Sequence, residues 1–464
     1  MTSETTRKYN SIHIRLITLT LVSRVFVIFL SLVLSRFITD YDSSNSDITD
    51  SSKIENSNHS PCFCGYLDHL LRPLGTWDAV FFKAIRSNFG YEYEQFYAFF
   101  PGFPFSTSFL PSSCFHVAAL ILNLFCSGCS AALLYELTVK FYGGNNNNFA
   151  IITGLFFSFT PAAIFHVAPY SESLFTFLTL AALYLLYCRG NWLGATIAIS
   201  MSIATRSNGI VTCGFLGHVV LRQIIERRRT FLRNHPQYKF IRLCWYQCIK
   251  VCLYPLTYLV ILFLLAIAPL ITFQIHGWYN FCRPFSSRPW CHSQTLPYIY
   301  GFVQKEYWNV GFLKYFSLSQ LPNFILAAPT LLITGWFLWI QGNILIRKSK
   351  GGLRFFLSGG LDPDFKLEDD CNLNLPSTTV FIYPLAFIWL TSVLVMHVQV
   401  STRMLSTQPQ FYWAMAALWT SGSKTSRSGK EEKAVAWRRI FLISWCGLYI
   451  VAGCSLFPNF YPWT

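Results

Sequence analysis

Charge is scarce in this sequence. Only 12% of the 464 residues are Asp, Glu, Lys or Arg, against about 25% in ordinary soluble proteins, which argues against a soluble domain. Acid is scarcer than base, with 21 Asp and Glu against 36 Lys and Arg and a formal net charge of +15. A basic excess of this size raises the question of nucleic acid, but the cations lie in clusters between apolar stretches, and no basic domain is left free to bind it. Phosphate-cradling glycine motifs, hydrolase triads and zinc-like Cys/His spacings are missing too; Gly143 and Gly144 simply precede an asparagine run. A soluble nucleotide-sugar fold is therefore not supported, no metal site is assigned, and no cofactor is expected.

What the chain does have is apolar length: 53% of it is hydrophobic and 18% aromatic. A helix needs about 20 residues to cross roughly 30 Å of hydrocarbon, and runs of that order recur from end to end. They lie near 12–38, 113–139, 149–169, 173–188, 192–220, 249–275, 322–346, 377–398, 409–420 and 440–457. The expected fold is an all-α polytopic membrane bundle. The first run follows Arg7, Lys8 and Arg15 and is much longer than the apolar core of a cleavable signal, about 7–15 residues, so it reads as an uncleaved signal anchor behind a cytosolic N-terminus, 1–11. The basic loops 221–248, 347–375 and 421–439 are assigned to the cytosol by the positive-inside rule. That layout requires 192–220 to be two short helices or none, with Arg206, Ser207, Asn208 and Gly209 as the break. Residues 12–464 are read as one transmembrane domain.

Two long loops, 39–112 and 276–321, then fall on the luminal side. Loops of such length are functional or disordered as a rule. Residues 40–60 are polar and read as disordered, whereas 62–112 are rich in aromatics and proline and read as ordered, with short interfacial helices. Asn58, His59 and Ser60 form a glycosylation acceptor on that side. Cys62, Cys64, Cys282 and Cys291 also fall there, where an oxidising lumen permits disulfides; a bridge between the two loops and free thiols are both open readings.

Within the first long loop, Asp78 is surrounded by Trp77, Ala79, Val80, Phe81 and Phe82. A carboxylate at an apolar interface is costly and tends to mark a site; the plainer reading makes it the N-cap of an interfacial helix. Glu92 and Glu94 read as solvated charges, and the aromatics that follow as interface anchors before sugar platforms. Farther on, His166, Tyr170 and Glu172 occupy a short turn, Arg206 and Asn208 the proposed break, and Arg403 and Gln408 another connection. All are candidate substrate contacts on one membrane face, as are Trp77 and Glu92. Arg206 suits a lipid phosphate, and equally an ion pair with Glu172.

Trp77 and Asp78 with the run Phe99 to Pro104, then Ala204 to Gly209, then Ser401, Thr402, Arg403 and, after a gap, Phe411, Tyr412 and Trp413 together resemble the PIG-V family, the second mannosyltransferases of glycosylphosphatidylinositol (GPI) anchor synthesis. The likeness spans about 12–460. It implies an endoplasmic reticulum enzyme of the GT-C class that takes mannose from dolichyl phosphate mannose and adds it in α-1,6 linkage to a mannosylated GPI precursor in the lumen. Enzymes of this class usually carry an acidic residue in the first luminal loop, and Asp78 is the matching position, expected to be the catalytic base. A small membrane subunit stays a candidate partner. Competing readings are another dolichol-dependent glycosyltransferase, a transporter or scramblase, which would account better for Arg24 inside the first span, and a structural subunit of a larger complex.

Overall fold

The computed structural model describes residues 3–41, 63–143, 147–234, 243–283, 288–292, 298–347, 361, 378–421 and 429–463. Among these every regular element is helical. Hydrocarbon offers no partner for a backbone N–H or C=O, so a chain of this composition must satisfy them within helices. In chain order the α-helices are α1 (Ser3–Leu34), α2 (Phe63–Leu70), α3 (Asp78–Asn88), α4 (Gly102–Ser106), α5 (Phe115–Tyr142), α6 (Asn148–Ser158), α7 (Glu172–Tyr187) and α8 (Trp192–Thr205). They continue with α9 (Cys213–Asn234), α10 (Leu243–Cys282), α11 (Ile299–Glu306), α12 (Leu321–Arg347), α13 (Ile382–Leu394), α14 (Ser401–Leu405), α15 (Pro409–Thr420) and α16 (Gly429–Leu456). Six helical segments among the described residues are long and apolar enough to cross a membrane: 11–34, 112–142, 207–231, 255–282, 318–346 and 431–459. The chain is a multi-pass membrane protein.

The expected break in 192–220 is present. α8 ends at Thr205, Arg206 is extended, and a 3₁₀ turn, Ser207–Thr212, leads into α9. Gly209 is required there, because a Cβ would stand 2.7 Å from the backbone nitrogen of Ile203. The expected loops were too long. The basic stretch 221–248 is helical in α9 as far as Asn234 and again from Leu243, and 276–321 begins inside α10. Residues 221–231 and 276–282 belong to the segments 207–231 and 255–282 that are long and apolar enough to cross a membrane; a helix continues through polar side chains at which an apolar run ends. Of the loop 347–375 only residues 347 and 361 belong to the described residues, and 421–439 is helical from Gly429. The polar stretch 42–62, with Asn58 and Cys62, lies outside them.

The bundle is glued by polar groups turned inward, as expected where lipid is no less apolar than Leu. Thr20, Ser23 and Arg24 of α1 are all buried against the end of α6. Arg24 donates from Nη1 to the Ser158 carbonyl and from Nη2 to the Phe157 carbonyl, both at 3.0 Å. α6 has 11 residues, about 17 Å of helix, and ends within the bundle. Its last carbonyls need donors, and a cation at a helix C-terminus supplies them with a favourable dipole interaction. Arg24 is thus a helix cap from a neighbouring element, so it needs no transport pathway to account for it.

A second core lies under the first long loop. Phe96, Tyr97, Phe99, Phe100 and Phe103 are buried against Phe115 of α5, Leu174 of α7, Phe273 of α10 and Ile299 of α11. These aromatics are core residues, correcting the reading as interface anchors; Tyr93, Phe105 and Phe109 are left exposed. Full burial of such a ring contributes about 1.5–3 kcal/mol, which makes 94–106 a packed unit despite its short helices. Two disulfides complete it: Cys64–Cys114 ties α2 to the start of α5, and Cys282–Cys291 closes the end of α10 on the turn Pro289–His292. Neither links the two loops to each other, as one sequence reading had allowed.

Candidate active site

Four stretches of the sequence meet at the starts of α3 and α7, at the end of α8 and on α14. Asp78 opens α3 as its first residue, not its N-cap; the capping position belongs to Trp77, which makes no side-chain cap. Trp77 has φ +57° and ψ −124°, a conformation that costs an L-residue on the order of 1–3 kcal/mol. The surroundings hold it there. Thr76 Oγ1 donates to the Phe457 carbonyl at 2.9 Å, and the Trp77 ring faces Phe460 at 6.3 Å. The hydroxyl of Tyr170 accepts the Asp78 N–H at 3.0 Å.

The Phe99–Pro104 block rests on the Ala204–Gly209 block. A Cβ on Gly102 would come within 2.7 Å of both the Ala204 carbonyl oxygen and Thr205 Oγ1, so glycine is what lets α4 seat on the end of α8. From that end Arg206 reaches Glu172 Oε1 at 2.6 Å and Ser171 Oγ at 3.4 Å. The third block enters from α14: Arg403 donates from Nε to Glu172 Oε1 at 2.7 Å and pairs from Nη1 with Asp78 Oδ2 at 2.9 Å. Its guanidinium also lies 4.7 Å over the Tyr170 ring and 5.0 Å over Phe165, a favourable cation–π arrangement.

Two carboxylates and two guanidiniums therefore alternate in one cluster with no formal net charge, which is how buried ions become tolerable. Of the two readings of Arg206, the ion pair with Glu172 is formed. Asp78 is the open member. Its side chain is partly exposed, and its second oxygen takes no hydrogen bond from the described residues. Asp78, Tyr170, Glu172, Arg206 and Arg403 are thus brought together. Trp77 is next to them in sequence, with its indole N–H buried and unpartnered, as are both amide atoms of Asn208. His166 is buried in the preceding turn, where its Nδ1 meets Ser173 Oγ at 3.1 Å. Gln408 stands at the N-cap position of α15 without a side-chain cap and contacts Thr407, and Glu92 is exposed; neither joins the cluster.

Glu94 departs from the reading as a solvated charge. It accepts from the Trp290 indole at 2.9 Å and the Tyr307 hydroxyl at 3.1 Å, and pairs with Arg288 at 3.1 Å. Desolvation, together with this hydrogen bond, raises the Tyr307 phenol above its ordinary value. Glu94 clamps the two long loops together through partners about two hundred positions away, and nothing in its local sequence signals this. Among the described residues no three His, Cys, Asp or Glu side chains gather as a metal-ion site.

Comparison with known proteins decides the family. The model for the mannosyltransferase (PIG-V) family matches residues 13–464. The chain belongs to the PIG-V mannosyltransferase family. It is a glycosyltransferase of membranes, as the three sequence blocks implied. The hamster (Cricetulus griseus) GPI alpha-1,6-mannosyltransferase 2 is 29% identical over 86% of this chain and 89% of its own length. GPI mannosyltransferase 2 of Drosophila pseudoobscura pseudoobscura is 29% identical over 96% and 98%, and that of Drosophila melanogaster 30% over 84% and 86%. Among solved structures, the archaeal oligosaccharyltransferase AglB from Archaeoglobus fulgidus aligns with TM-score 0.39 and 10% identity, covering 94% of this chain and 56% of its own. The three blocks are joined by the fold: the first seats on the second at Gly102, and the third meets the first through Arg403 and the second through Met404, whose sulfur accepts from Arg206 at 3.0 Å.

Proposed function

We propose that this PIG-V family member transfers the second mannose of a GPI anchor, in α-1,6 linkage, from dolichyl phosphate mannose to a mannosylated GPI precursor in the lumen of the endoplasmic reticulum. The names of its relatives support the acceptor class. The observation that carries the chemistry is the partly exposed Asp78 carboxylate beside the paired guanidiniums of Arg403 and Arg206. An apolar groove of about 560 Å³ begins at Ile210, two residues past Asn208, and runs between Val211, Gly214, Val260, Leu264 and Phe387; its surface suits the polyprenyl chain of a lipid donor.

The donor mannose is β-linked and the product α-linked, so one displacement inverts the anomeric carbon. The acceptor hydroxyl oxygen bonds to C1 as the bond from C1 to the phosphate oxygen breaks, and its electron pair leaves with dolichyl phosphate. The hydroxyl proton goes to Asp78, a carboxylate that must approach within about 3 Å. Arg206 stabilises the departing phosphate, a task for a fixed cation. This geometry asks for a lipid-borne phosphate at the membrane surface, where the cluster's exposed ends would meet it.

The test is complementation of cells that lack the second GPI mannose, followed by lipid analysis. The expected result is that cells without the enzyme hold a precursor with one mannose and that the chain restores the second. Accumulation of a truncated N-glycan precursor instead would assign the chain to a different dolichol-dependent transfer.

A further inference from the structure

The two arginines of the cluster share one carboxylate, and Arg206 also reaches Ser171 Oγ at 3.4 Å and Met404 Sδ at 3.0 Å. Both donate to the same oxygen, Oε1 of Glu172, at 2.6 Å and 2.7 Å, while Glu172 Oε2 is buried with no hydrogen-bond partner among the described residues. Arg403 also holds Asp78. The ion pairs are therefore in series, Asp78–Arg403–Glu172–Arg206, and each inner ion divides its pairing between two neighbours. Exposure follows the same order. The side chains at the ends, Asp78 and Arg206, are 29% and 14% exposed, whereas Arg403 and Glu172 in the middle are 8% and 0%. Ligands can reach the ends, and only protein connects them.

We propose that Glu172 is a positioning residue that couples occupation of Arg206 by a lipid phosphate to release of Asp78 from Arg403. This rests on the donor assignment above. A phosphodiester at Arg206 competes with Glu172 for the guanidinium and draws it off Oε1. Glu172 then has one cationic neighbour and a second oxygen already desolvated and free. Closing both oxygens on the Nε edge of Arg403 makes a two-point pair, the stronger form of this interaction, and pulls the guanidinium away from Asp78. A guanidinium so neutralised also holds a second carboxylate less strongly. Asp78 becomes available as a base only once the donor phosphate is seated, so the donor binds first and the acceptor loses its proton second.

The test compares purified wild-type and Glu172→Gln enzyme with dolichyl phosphate mannose as donor and a one-mannose GPI precursor as acceptor. Removing the central negative charge frees Arg206 for phosphate and leaves Arg403 with Asp78 as its one carboxylate. The expected result is a split: affinity for dolichyl phosphate rises about fivefold, whereas kcat falls about 100-fold, the lower range of lost general-base help. Glu172→Asp should recover part of kcat. A merely structural role cannot tighten donor binding, so unchanged or weaker binding, or a kcat within about threefold of wild type, overturns the coupling. If Glu172→Gln does not accumulate, initial-rate kinetics of the wild type decide: donor-first order supports the coupling, and random or acceptor-first order overturns it. A wild type that transfers no mannose from this donor while transferring it from another refutes the donor assignment itself.

Discussion

The hydroxyl of Tyr170 accepts the backbone N–H of Asp78 at 3.0 Å, at the one point where the first long loop turns into α3. Tyr170 is itself fully buried, and Arg403 lies over its ring. One side chain thus fixes both the start of α3 and the cation that pairs with Asp78. Tyr170→Phe keeps the ring and removes the acceptor, leaving a helix-end N–H unpaired at a cost of about 1–3 kcal/mol. We expect a lower melting temperature in detergent and a transfer rate reduced less than by any change at Asp78 itself. Unchanged stability and unchanged rate would mean that this hydrogen bond has no part in holding Asp78.

Asp78→Asn preserves shape and removes basicity. Arg403 keeps Glu172 as a partner at 2.7 Å, so the variant should reach the membrane in normal amount. Turnover in microsomes should fall by about 10² to 10⁴. Retention of more than about a tenth of wild-type turnover would pass the role to another group. The structure narrows the rivals: Glu172 and His166 are fully buried, Glu94 is engaged by three donors, and Glu92 is exposed without a place in the cluster.

Arg206→Ala should raise the donor KM roughly 10- to 100-fold, the equivalent of one or two charge-assisted hydrogen bonds, with little change in acceptor KM. Arg206→Lys restores the charge without the planar fork and should recover part of the loss. Kinetics in which donor and acceptor KM rise together would point to general damage at the end of α8.

Arg24→Ala separates cap from conduit. It removes the donor of the Phe157 carbonyl, at a cost of about 1–3 kcal/mol for a buried group left unpaired, while the Ser158 carbonyl keeps the Ser23 hydroxyl at 2.7 Å. A thermal-shift assay should find the variant clearly less stable, and kcat measured well below its melting temperature should stay near wild type. Normal stability with lost transfer would give Arg24 a functional role that its present partners do not suggest.

The helical, membrane-embedded character of this chain was legible from the sequence by itself, because hydrophobic length and the scarcity of charge are local properties that lipid reads residue by residue. The break at Arg206–Gly209 was legible for the same reason: a cation, two polar residues and a glycine interrupt an apolar run wherever it is folded. The three family blocks were legible too, and with them the identity of Asp78, Arg206 and Arg403 as candidates. The tertiary structure alone decided how those candidates are joined. Arg403 could have flanked the site as a free cation, yet it pairs with Asp78 and Glu172 from positions more than two hundred residues away. Glu94 reads as solvent-facing beside Glu92, yet three groups of the second long loop enclose it. Arg24 reads as a charge stranded in lipid until the end of α6 is brought to it. In each case the energy of a buried or half-buried charge depends on a partner at a few ångströms, and that distance is set by how helices pack, which no spacing along the chain encodes.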